Sequence, residues 1–439
     1  MRRQATLLLV LVAGLIGCAA RTPERPQASP SVIESPTPAT PVAAMPAMPN
    51  PATAAIPRHE PQAVPRLEPS AKPDIAPGEI AAHVQRAHEA GLSWALANQR
   101  PDGNWGTFAT ERSYEIYLDT QASHIAFQTA TTALMAWAML SPAHADERAA
   151  AARDRGLGVL AKRPSPRRAT GNTFYDVWAH TYVMELGVAV VEDERLAARR
   201  SDWAAIAQGE VDRVRKDQGS EGGWGYYDFE FTGIHPSGHQ STSFNTAAMI
   251  IALKEAERIG LTIAPGTVED AARAVLRMQL PSGAFAYGTY AELNPRADYN
   301  KVSGSACRLQ ACNLALHSLG LGGVTVETLL RGIEHMRDTH HYLEIGRGRV
   351  RPHEAFYRNS GYYYYFGHFY AARVLAACPP STRRTELARW LATVMVHDQN
   401  PDGSWFDYPL YGYGKAYATG YGLLTLQILK ALVVPPESP

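Results

Sequence analysis

Asp176 and His180 lie four positions apart and are the first pair in this chain that could move a proton. On a helix this spacing puts both side chains on one face, where a carboxylate can orient an imidazole for acid–base catalysis. A buried hydrogen-bonded pair would have the same spacing and is the simpler interpretation. His368 is a further candidate for proton transfer, so the predicted catalytic set is Asp176, His180 and His368.

The densest aromatic run of the chain extends from Tyr362 to Tyr370. Aromatic side chains offer flat apolar surfaces, so such a run on a cavity wall would stack against an isoprenoid, a sterol-like molecule or a sugar. Packing of a thick core accounts for the run equally well. Further ligand contacts are predicted for residues that precede or begin apolar helical stretches: His239, Arg308, Tyr363, Lys415 and Tyr417.

The spacing of the cysteines and histidines predicts neither a metal site nor a cofactor. Cys307 and Cys312 lie five residues apart, which separates them by about 140° around a helix. We therefore expect buried thiols rather than a shared metal or a disulfide. Four histidines without a regular ligand spacing gather in one connecting segment and are expected on the surface: His335, His340, His341 and His353.

A sequence repeat forms the framework that positions these candidates. Four segments share one spacing, in which an aromatic residue follows a glutamine by six positions. The pairs are Gln99 with Trp105, Gln218 with Trp224, Gln279 with Phe285, and Gln399 with Trp405. Each glutamine closes an amphipathic helical stretch, and the turn residues that follow, such as Pro-Asp-Gly, stop the helix. A second, more apolar helix comes next. Each unit is therefore a helical hairpin.

The distances between the glutamines predict six hairpins. Successive glutamines lie 119, 61 and 120 residues apart, so each long gap hides one further unit with a degenerate turn. Twelve helices that alternate between a mixed and an apolar type can bury both kinds of face in a closed double ring. We predict an all-α fold, an (α/α)6 toroid over residues 78–434; an open solenoid of the same hairpins is the alternative.

Closure would place the N-termini of the six inner helices at one end of a central funnel. Helix N-termini carry partial positive charge and favour anions, so an anionic group at the mouth is expected. The ligand-binding candidates begin these inner helices.

The Gln-x-Pro-Asp-Gly-x-Trp turns resemble the QW repeat of squalene and hopene cyclases, which are terpenoid cyclases, and of protein prenyltransferase β subunits. The resemblance implies the toroid and a structural role for the glutamines and tryptophans. It stops short of the reactions: the chain lacks the Asp-x-Asp-Asp acid of the cyclases, and Ser305 stands where the zinc-binding Asp-x-Cys pair of prenyltransferases would need an aspartate before Cys307. The resemblance therefore implies an apolar or isoprenoid-like ligand without naming a reaction.

The N-terminus predicts export. Arg2 and Arg3 precede a short apolar run that is typical of a signal peptide over residues 1–17. Leu15-Ile16-Gly17-Cys18 resembles the bacterial lipobox, so Cys18 is the predicted lipidation site, with a Pro/Ala-rich tether over residues 18–77. Ala19 after the cysteine favours the outer membrane. We expect a lipid-anchored envelope protein whose membrane contact is this anchor.

Charge composition narrows the partners. The chain has 42 basic and 42 acidic residues, so nothing points to nucleic acid. The first hypothesis is a toroid that binds an apolar or isoprenoid-like molecule in its central cavity. A polysaccharide-processing toroid enzyme, similar to lyases or hydrolases, and a non-enzymatic scaffold are the alternatives. Whether the protein is an enzyme stays open.

Overall fold

The computed structural model describes residues 75–107, 121–142, 145–163, 176–226, 241–289 and 294–433. These residues form α-helices joined by turns and short 3-10 segments, which confirms the predicted all-α class. The predicted signal peptide, Cys18, the tether as far as residue 74, and His239 lie outside the described residues.

Twelve of the described helices form six hairpins, each with an outer helix followed by an inner one. The outer helices are α1 (Ile80–Ala97), α3 (Glu147–Lys162), α5 (Arg200–Lys216), α7 (Thr267–Met278), α9 (Val326–Asp338) and α12 (Thr382–His397). The inner helices are α2 (Gln121–Leu140), α4 (Asp176–Glu192), α6 (Ser243–Arg258), α8 (Val302–Ser318), α11 (Tyr364–Ala377) and α13 (Gly414–Leu432). A short additional helix, α10 (His340–Gly346), follows α9.

The two helix types differ in how much of their surface is buried. Outer helix α7 buries one face, through residues such as Ala271, Val275 and Met278. Inner helix α8 is buried continuously from Gly304 to Leu316. An outer helix has one side covered, whereas an inner helix contacts two ring neighbours, outer helices and the centre. The apolar composition of the inner helices follows from that position.

The ring is closed. Each inner helix packs against the next around the ring, and α13 completes the circle by packing against α2. In the outer layer, the first helix α1 packs against the last one, α12. This closure rules out the open solenoid.

The glutamine of each turn ties one hairpin to the next, as the turn at Gln399 shows. The Gln399 side-chain amide donates to the carbonyl of Gly403 within its own turn and, at 2.7 Å, to the carbonyl of Ala87 in the first outer helix. The Trp405 indole donates to the Met395 carbonyl at 2.9 Å and its ring is fully buried. Gln99 and Gln218 make the equivalent bonds to the outer helices that follow them. These residues are structural in this fold.

Large side chains fill the C-terminal half of the inner ring. α4 and α11 lie opposite each other, and near their N-terminal ends the rings of Trp178 and Phe366 meet edge to face at 5.6 Å between their centroids. In the C-terminal halves of the same two helices, Arg373 pairs with Glu185 at 2.6 Å. This pair and the rings around it fill the centre there, so the central space is available only towards the N-terminal ends of the inner helices.

Among the described helices, none combines the length and the hydrophobicity that crossing a bilayer requires.

Candidate functional site: a tyrosine-rich central cavity

A cavity of about 330 Å³ occupies the N-terminal end of the inner ring. None of the described residues that line it is a lysine, an arginine or a carboxylic acid. The lining residues are Phe127, Ala130, Thr131, Leu134, Trp178, Tyr182, Tyr226, Tyr287, Pro352, His353, Tyr362, Tyr408, Leu410, Tyr417 and Tyr421. The wall is therefore aromatic and apolar, and its polar side-chain groups are hydroxyls, one imidazole and the indole N–H of Trp178.

Helical spacing explains the part of the wall that the inner helices supply. Trp178 and Tyr182 lie at i and i+4 on α4, and Tyr417 and Tyr421 do so on α13, so each pair projects from one face. α2 contributes a stripe from Phe127 to Leu134 at the same period. The remaining lining residues lie in segments that precede inner helices. The central funnel thus opens where the N-termini of the inner helices gather, as predicted.

Two tyrosines form the floor of the cavity. The hydroxyls of Tyr182 and Tyr421 are hydrogen-bonded to each other, and their rings meet edge to face at 5.7 Å. Both side chains are buried. On the far side of them, the Phe369 ring lies 5.6 Å from that of Tyr421 and Glu185 pairs with Arg373, so a ligand that enters from the mouth would stop at these two hydroxyls.

One side of the cavity carries a chain of hydrogen bonds that ends on His353. The hydroxyl of Tyr226 is bonded to that of Tyr287, and Tyr287 is bonded to Tyr362 at 2.7 Å. The Tyr362 hydroxyl lies 3.2 Å from Nε2 of His353. Four lining side chains therefore form one polar corner, which we call the tyrosine–histidine chain: Tyr226, Tyr287, Tyr362 and His353.

The backbone holds His353 in an unusual conformation. Its φ is +64°, and Tyr357 and Arg358 in the same loop are also positive, at +55° and +53°. Such values are uncommon for residues other than glycine and often mark functional segments. The Ser360 hydroxyl accepts the His353 backbone N–H at 2.9 Å and so fixes the loop. Strained backbone that is pinned in this way aims the imidazole into the cavity.

Burial and nearby positive charge keep His353 neutral. Burial lowers the pKa of His353, because it disfavours the charged imidazolium, and the guanidinium groups of Arg308 and Arg358 lower it further. Its Nδ1 lies 2.9 Å from the carbonyl oxygen of Arg358 and 3.0 Å from the Ser360 hydroxyl. A carbonyl only accepts hydrogen bonds, so the Arg358 contact favours a proton on Nδ1.

A buried carboxyl group lies behind the opposite wall. The Tyr417 hydroxyl donates to Oδ1 of Asp407, and the backbone N–H of Tyr365 donates to Oδ2 at 3.2 Å. Burial raises the pKa of Asp407 to about 7, although the hydrogen bonds from Tyr417 and Tyr365 oppose the rise. Asp407 reaches the cavity only through Tyr417, which does line it.

The structure brings Asp176 and His180 together, as their spacing predicts, but outside the cavity. Nε2 of His180 lies 3.4 Å from Asp176, and Nδ1 lies 2.5 Å from Glu210 on outer helix α5. Burial alone would lower the pKa of His180, but Glu210 and Asp176 outweigh it and raise the pKa well above its usual value. The pair faces the space between the two helix layers.

Side chains of the same cluster lie close enough together to hold a metal ion, but a protein cation already contacts them. Ligand atoms of Asp176, His180 and Asp217 lie within 4.8 Å of one another. However, Nε of Arg213 donates to Asp217 at 3.0 Å, so this guanidinium and the imidazolium of His180 already offset two of the three negative charges of Asp176, Glu210 and Asp217.

His368 is also buried between the layers rather than in the cavity. Its Nδ1 donates to the Tyr364 carbonyl at 2.7 Å, and its Nε2 lies 3.0 Å from Nε2 of His340. Burial and the neighbouring His340 lower the pKa of His368 to about 3. The prediction of surface histidines was wrong for His340, which is buried, and for His353, while His335 and His341 are exposed.

The predicted ligand-binding residues separate into different places. Tyr417 lines the cavity. Arg308 and Tyr363 are buried behind the wall; Arg308 lies over the Tyr287 ring at 5.0 Å and donates to backbone carbonyls. Lys415 is exposed and pairs with Asp402 at 2.7 Å. Neither cation lines the cavity, so the expected anionic ligand gains no support from these side chains.

Cys307 and Cys312 are buried, as predicted. Burial raises the pKa of Cys312 to about 12 and that of Cys307 further still. Thiols of this kind stay protonated at neutral pH and are poor nucleophiles and metal ligands.

Sequence reasoning missed the tyrosine–histidine chain. Its members lie at positions 226, 287, 353 and 362, in four separate loops or helix starts, so no periodic spacing connects them. One signal was available: Tyr226 follows the Gln218 turn by eight positions and Tyr287 follows the Gln279 turn by the same interval. Equivalent repeat positions point to the same end of a ring.

Comparison of the sequence with models of known families gave no match, and comparison with curated proteins gave none. The fold is similar to that of cellobiose 2-epimerase from Spirochaeta thermophila, with 14% identity, coverage of 82% of this chain and 97% of that one, and a TM-score of 0.50. This likeness supports the α/α toroid.

Two further solved structures show weaker similarity. The type II terpene cyclase MstE from Scytonema has 13% identity, with 80% and 100% of the two chains covered and a TM-score of 0.46. A possible member of the GH105 family from Salmonella enterica has 13% identity, with 82% and 94% covered and a TM-score of 0.42.

Proposed function

We propose that this protein is a lipid-anchored component of the bacterial cell envelope whose central cavity binds a neutral, predominantly apolar molecule of isoprenoid-like character. One observation carries the proposal: the described lining is aromatic and aliphatic and contains no lysine, arginine or carboxylic acid. A charged ligand would lose its hydration on entering such a space without gaining a counter-charge. An apolar ligand gains about 25 cal/mol for each Å² of apolar surface removed from water.

The size and shape of the cavity support the same proposal. Its volume of about 330 Å³ lies at the lower end of the range for small-molecule pockets, roughly 300–1,000 Å³. The Tyr182–Tyr421 floor closes one end, so a ligand enters from one side. A compact terpenoid fits this space, whereas a polymer would require a groove that is open at both ends.

Glycan processing is the second candidate, because tyrosine rings also stack on sugars and the wall carries many hydroxyl groups. An acidic polysaccharide would need positive charge against its carboxylates, and Arg308 is screened from the cavity by Tyr287. A short neutral sugar is the form of this hypothesis that the lining permits. The predominance of carbon over polar atoms in the wall favours the apolar ligand.

Lipid extraction tests the binding proposal. We expect the mature protein, purified in mild detergent, to release an apolar compound that mass spectrometry detects. Ala130 lines the cavity, so Ala130→Trp should fill the space and abolish the bound compound. Ala198 is exposed away from the cavity, so Ala198→Trp is the matched control. Equal amounts of the compound in both variants would refute the cavity as its site.

Fractionation tests the anchor. Cys18→Ser removes the only predicted attachment point, so the variant should move from the membrane fraction to the soluble envelope fraction and lose fatty-acid labelling. Retention of the variant in the membrane fraction would show that the anchor proposal is wrong, without bearing on what the cavity binds.

A further inference from the structure

Exposed hydrophobic side chains gather at the end of the ring where the cavity opens. Among the described residues, four large hydrophobic side chains are exposed: Ile125, Leu321, Val350 and Phe356. Ile125 lies near the start of inner helix α2, and Val350 and Phe356 lie in the loop that carries His353. Leu321 follows the C-terminal end of inner helix α8 and so lies at the opposite end. Three of the four therefore surround the mouth.

The loop of residues 347–360, which we call the mouth loop, places two of these side chains beside the opening. Pro352 and His353 of this loop line the cavity. The Val350 carbonyl accepts the hydroxyl of Tyr408, a further lining residue, at 3.3 Å. Whatever covers the mouth loop is therefore close to the entrance of the cavity.

An aromatic cluster holds the most exposed of these side chains. The Phe356 ring lies 6.0 Å from that of Tyr342 in α10, and the Tyr342 ring meets that of Tyr357 edge to face at 4.8 Å. Phe356 nevertheless keeps 65% of its surface exposed. Exposed apolar side chains that cluster in this way mark contact sites for other proteins or for membranes.

The charge of the mouth loop indicates which of these two it fits. The loop contains four arginines and one glutamate. Arg347 pairs with the buried Asp398 at 3.2 Å, which leaves three exposed arginines and the exposed Glu354, with a net charge of +2: Arg349, Arg351 and Arg358. Arg351 extends furthest, with 81% of its side chain exposed and Glu354 at 3.8 Å. Exposed cations thus flank the exposed apolar side chains.

We propose that the mouth loop docks the open end of the ring onto an anionic phospholipid surface. Arginine side chains bind phosphate groups, and aromatic rings next to them favour the boundary between headgroups and acyl chains. In this orientation Phe356 and Val350 enter the boundary and the cavity faces the bilayer. An apolar ligand then passes between bilayer and cavity without crossing water; this route rests on the proposed function, whereas the docking itself does not.

The proposed anchor and the docking support each other. A tether keeps the ring at a high effective concentration near the membrane, so weak docking is sufficient. Docking alone is reversible, because stable attachment needs two membrane signals. A washed membrane fraction therefore does not retain Cys18→Ser, and this variant allows the docking to be measured without the anchor.

Vesicle binding at equilibrium tests the docking. The full mature chain with Cys18→Ser is mixed with vesicles of phosphatidylcholine alone or of phosphatidylcholine with phosphatidylglycerol, and the bound fraction is measured by sedimentation. We expect binding about tenfold tighter when phosphatidylglycerol is present, because basic residues are attracted to an anionic surface. High salt should remove this preference.

Matched substitutions, made in the same Cys18→Ser chain, assign the binding to the mouth loop. Phe356→Ser should weaken it about tenfold and Arg351→Gln about fivefold, because each removes one contact with the lipid. Leu321→Ser and Arg86→Gln make the same changes at exposed positions outside the loop. Both controls should bind the vesicles as tightly as the unaltered loop does.

Fluorescence quenching tests the orientation of the ring. Phe356→Trp adds an indole at the mouth, and Leu321→Trp adds one at the opposite end. Vesicles whose phospholipids carry bromine on their acyl chains quench an indole that enters the lipid. We expect quenching of the added fluorescence in Phe356→Trp and none in Leu321→Trp.

The outcomes separate the docking from the ligand. Absence of binding to phosphatidylglycerol vesicles would overturn the inference, favour a protein as the partner of the loop, and leave the ligand to be decided by extraction. Equal weakening in Phe356→Ser and Leu321→Ser, or equal quenching of the two added indoles, would also overturn it. Vesicle binding through the loop by a protein that yields no apolar compound would support the docking and refute the proposed ligand.

Discussion

His180 and His353 each have oxygen atoms within hydrogen-bonding distance, but they lie in different parts of the ring. His180 lies between inner helix α4 and outer helix α5, where Glu210 and Asp176 hold it as an imidazolium. His353 lies in a loop at the mouth of the ring, where its partners are a carbonyl and a tyrosine hydroxyl. The first histidine is charged and sealed, and the second is neutral and lines a cavity.

The difference shows that the layer in which a side chain lies decides what it can do. Between helix layers, a buried charge persists only with opposite charges around it, and those partners occupy the space that a ligand would need. At the cavity wall, neutral groups can stay unpaired on one side because the site is built to receive another molecule. The comparison predicts that the two histidines respond in opposite ways to substitution.

The largest expected effect is on stability at His180. Replacement by alanine leaves the carboxylates of Asp176, Glu210 and Asp217 without their imidazolium and should lower the free energy of unfolding by about 3–5 kcal/mol. Urea denaturation followed by circular dichroism measures it. His341 is exposed, so His341→Ala should change the value by less than about 0.5 kcal/mol. Equal effects of the two substitutions would show that His180 does not stabilise the buried carboxylates.

A change of pH probes the same cluster without altering the sequence. Because the folded-state pKa of His180 is raised above the usual 6.5, its contribution to stability is complete below pH 6.5 and is lost as pH rises through the folded-state value. The free energy of unfolding should therefore fall as the pH rises above 6.5. In His180→Gln this part of the decline should disappear; a decline of equal slope in the variant would assign it to another group.

Asp176 and His180 show how much of the site the sequence could predict. The i and i+4 spacing of Asp176 and His180 correctly indicated a pair, since spacing on a helix fixes proximity along one face. It could not indicate the direction in which that face points, because α4 is buried on nearly every side and its apolar pattern carries no preference between the outer layer and the centre.

The fold was easier to predict than the site, because the same turn pattern occurs several times in the sequence. Gln99 and Trp105 recur with the same spacing around the ring, and each copy predicts the same turn, so the toroid followed from the spacing alone. The tyrosine–histidine chain forms only after closure. Tyr226 and His353 are 127 positions apart, and their meeting depends on loops whose geometry no local pattern encodes.

Asp407 is an intermediate case, buried like His180 but partnered by a hydroxyl like His353. Its folded-state pKa of about 7 exceeds the ordinary 3.8, so the unfolded chain ionises first and stability should fall as pH rises from about 4 to 7. Asp407→Asn should remove that decline and leave the decline that His180 causes above pH 6.5 intact. Thermal unfolding from pH 4 upwards through both declines measures them, and an unchanged profile would show that Asp407 is ionised throughout.

The smallest expected effect on stability is at His353. His353→Asn is the suitable change, because φ is +64° and asparagine tolerates that region, while its side chain is too short to replace Nε2 against Tyr362. The free energy of unfolding should change by less than about 1 kcal/mol. A loss of stability as large as that of His180→Ala would make His353 a second structural histidine and remove the distinction between the two layers.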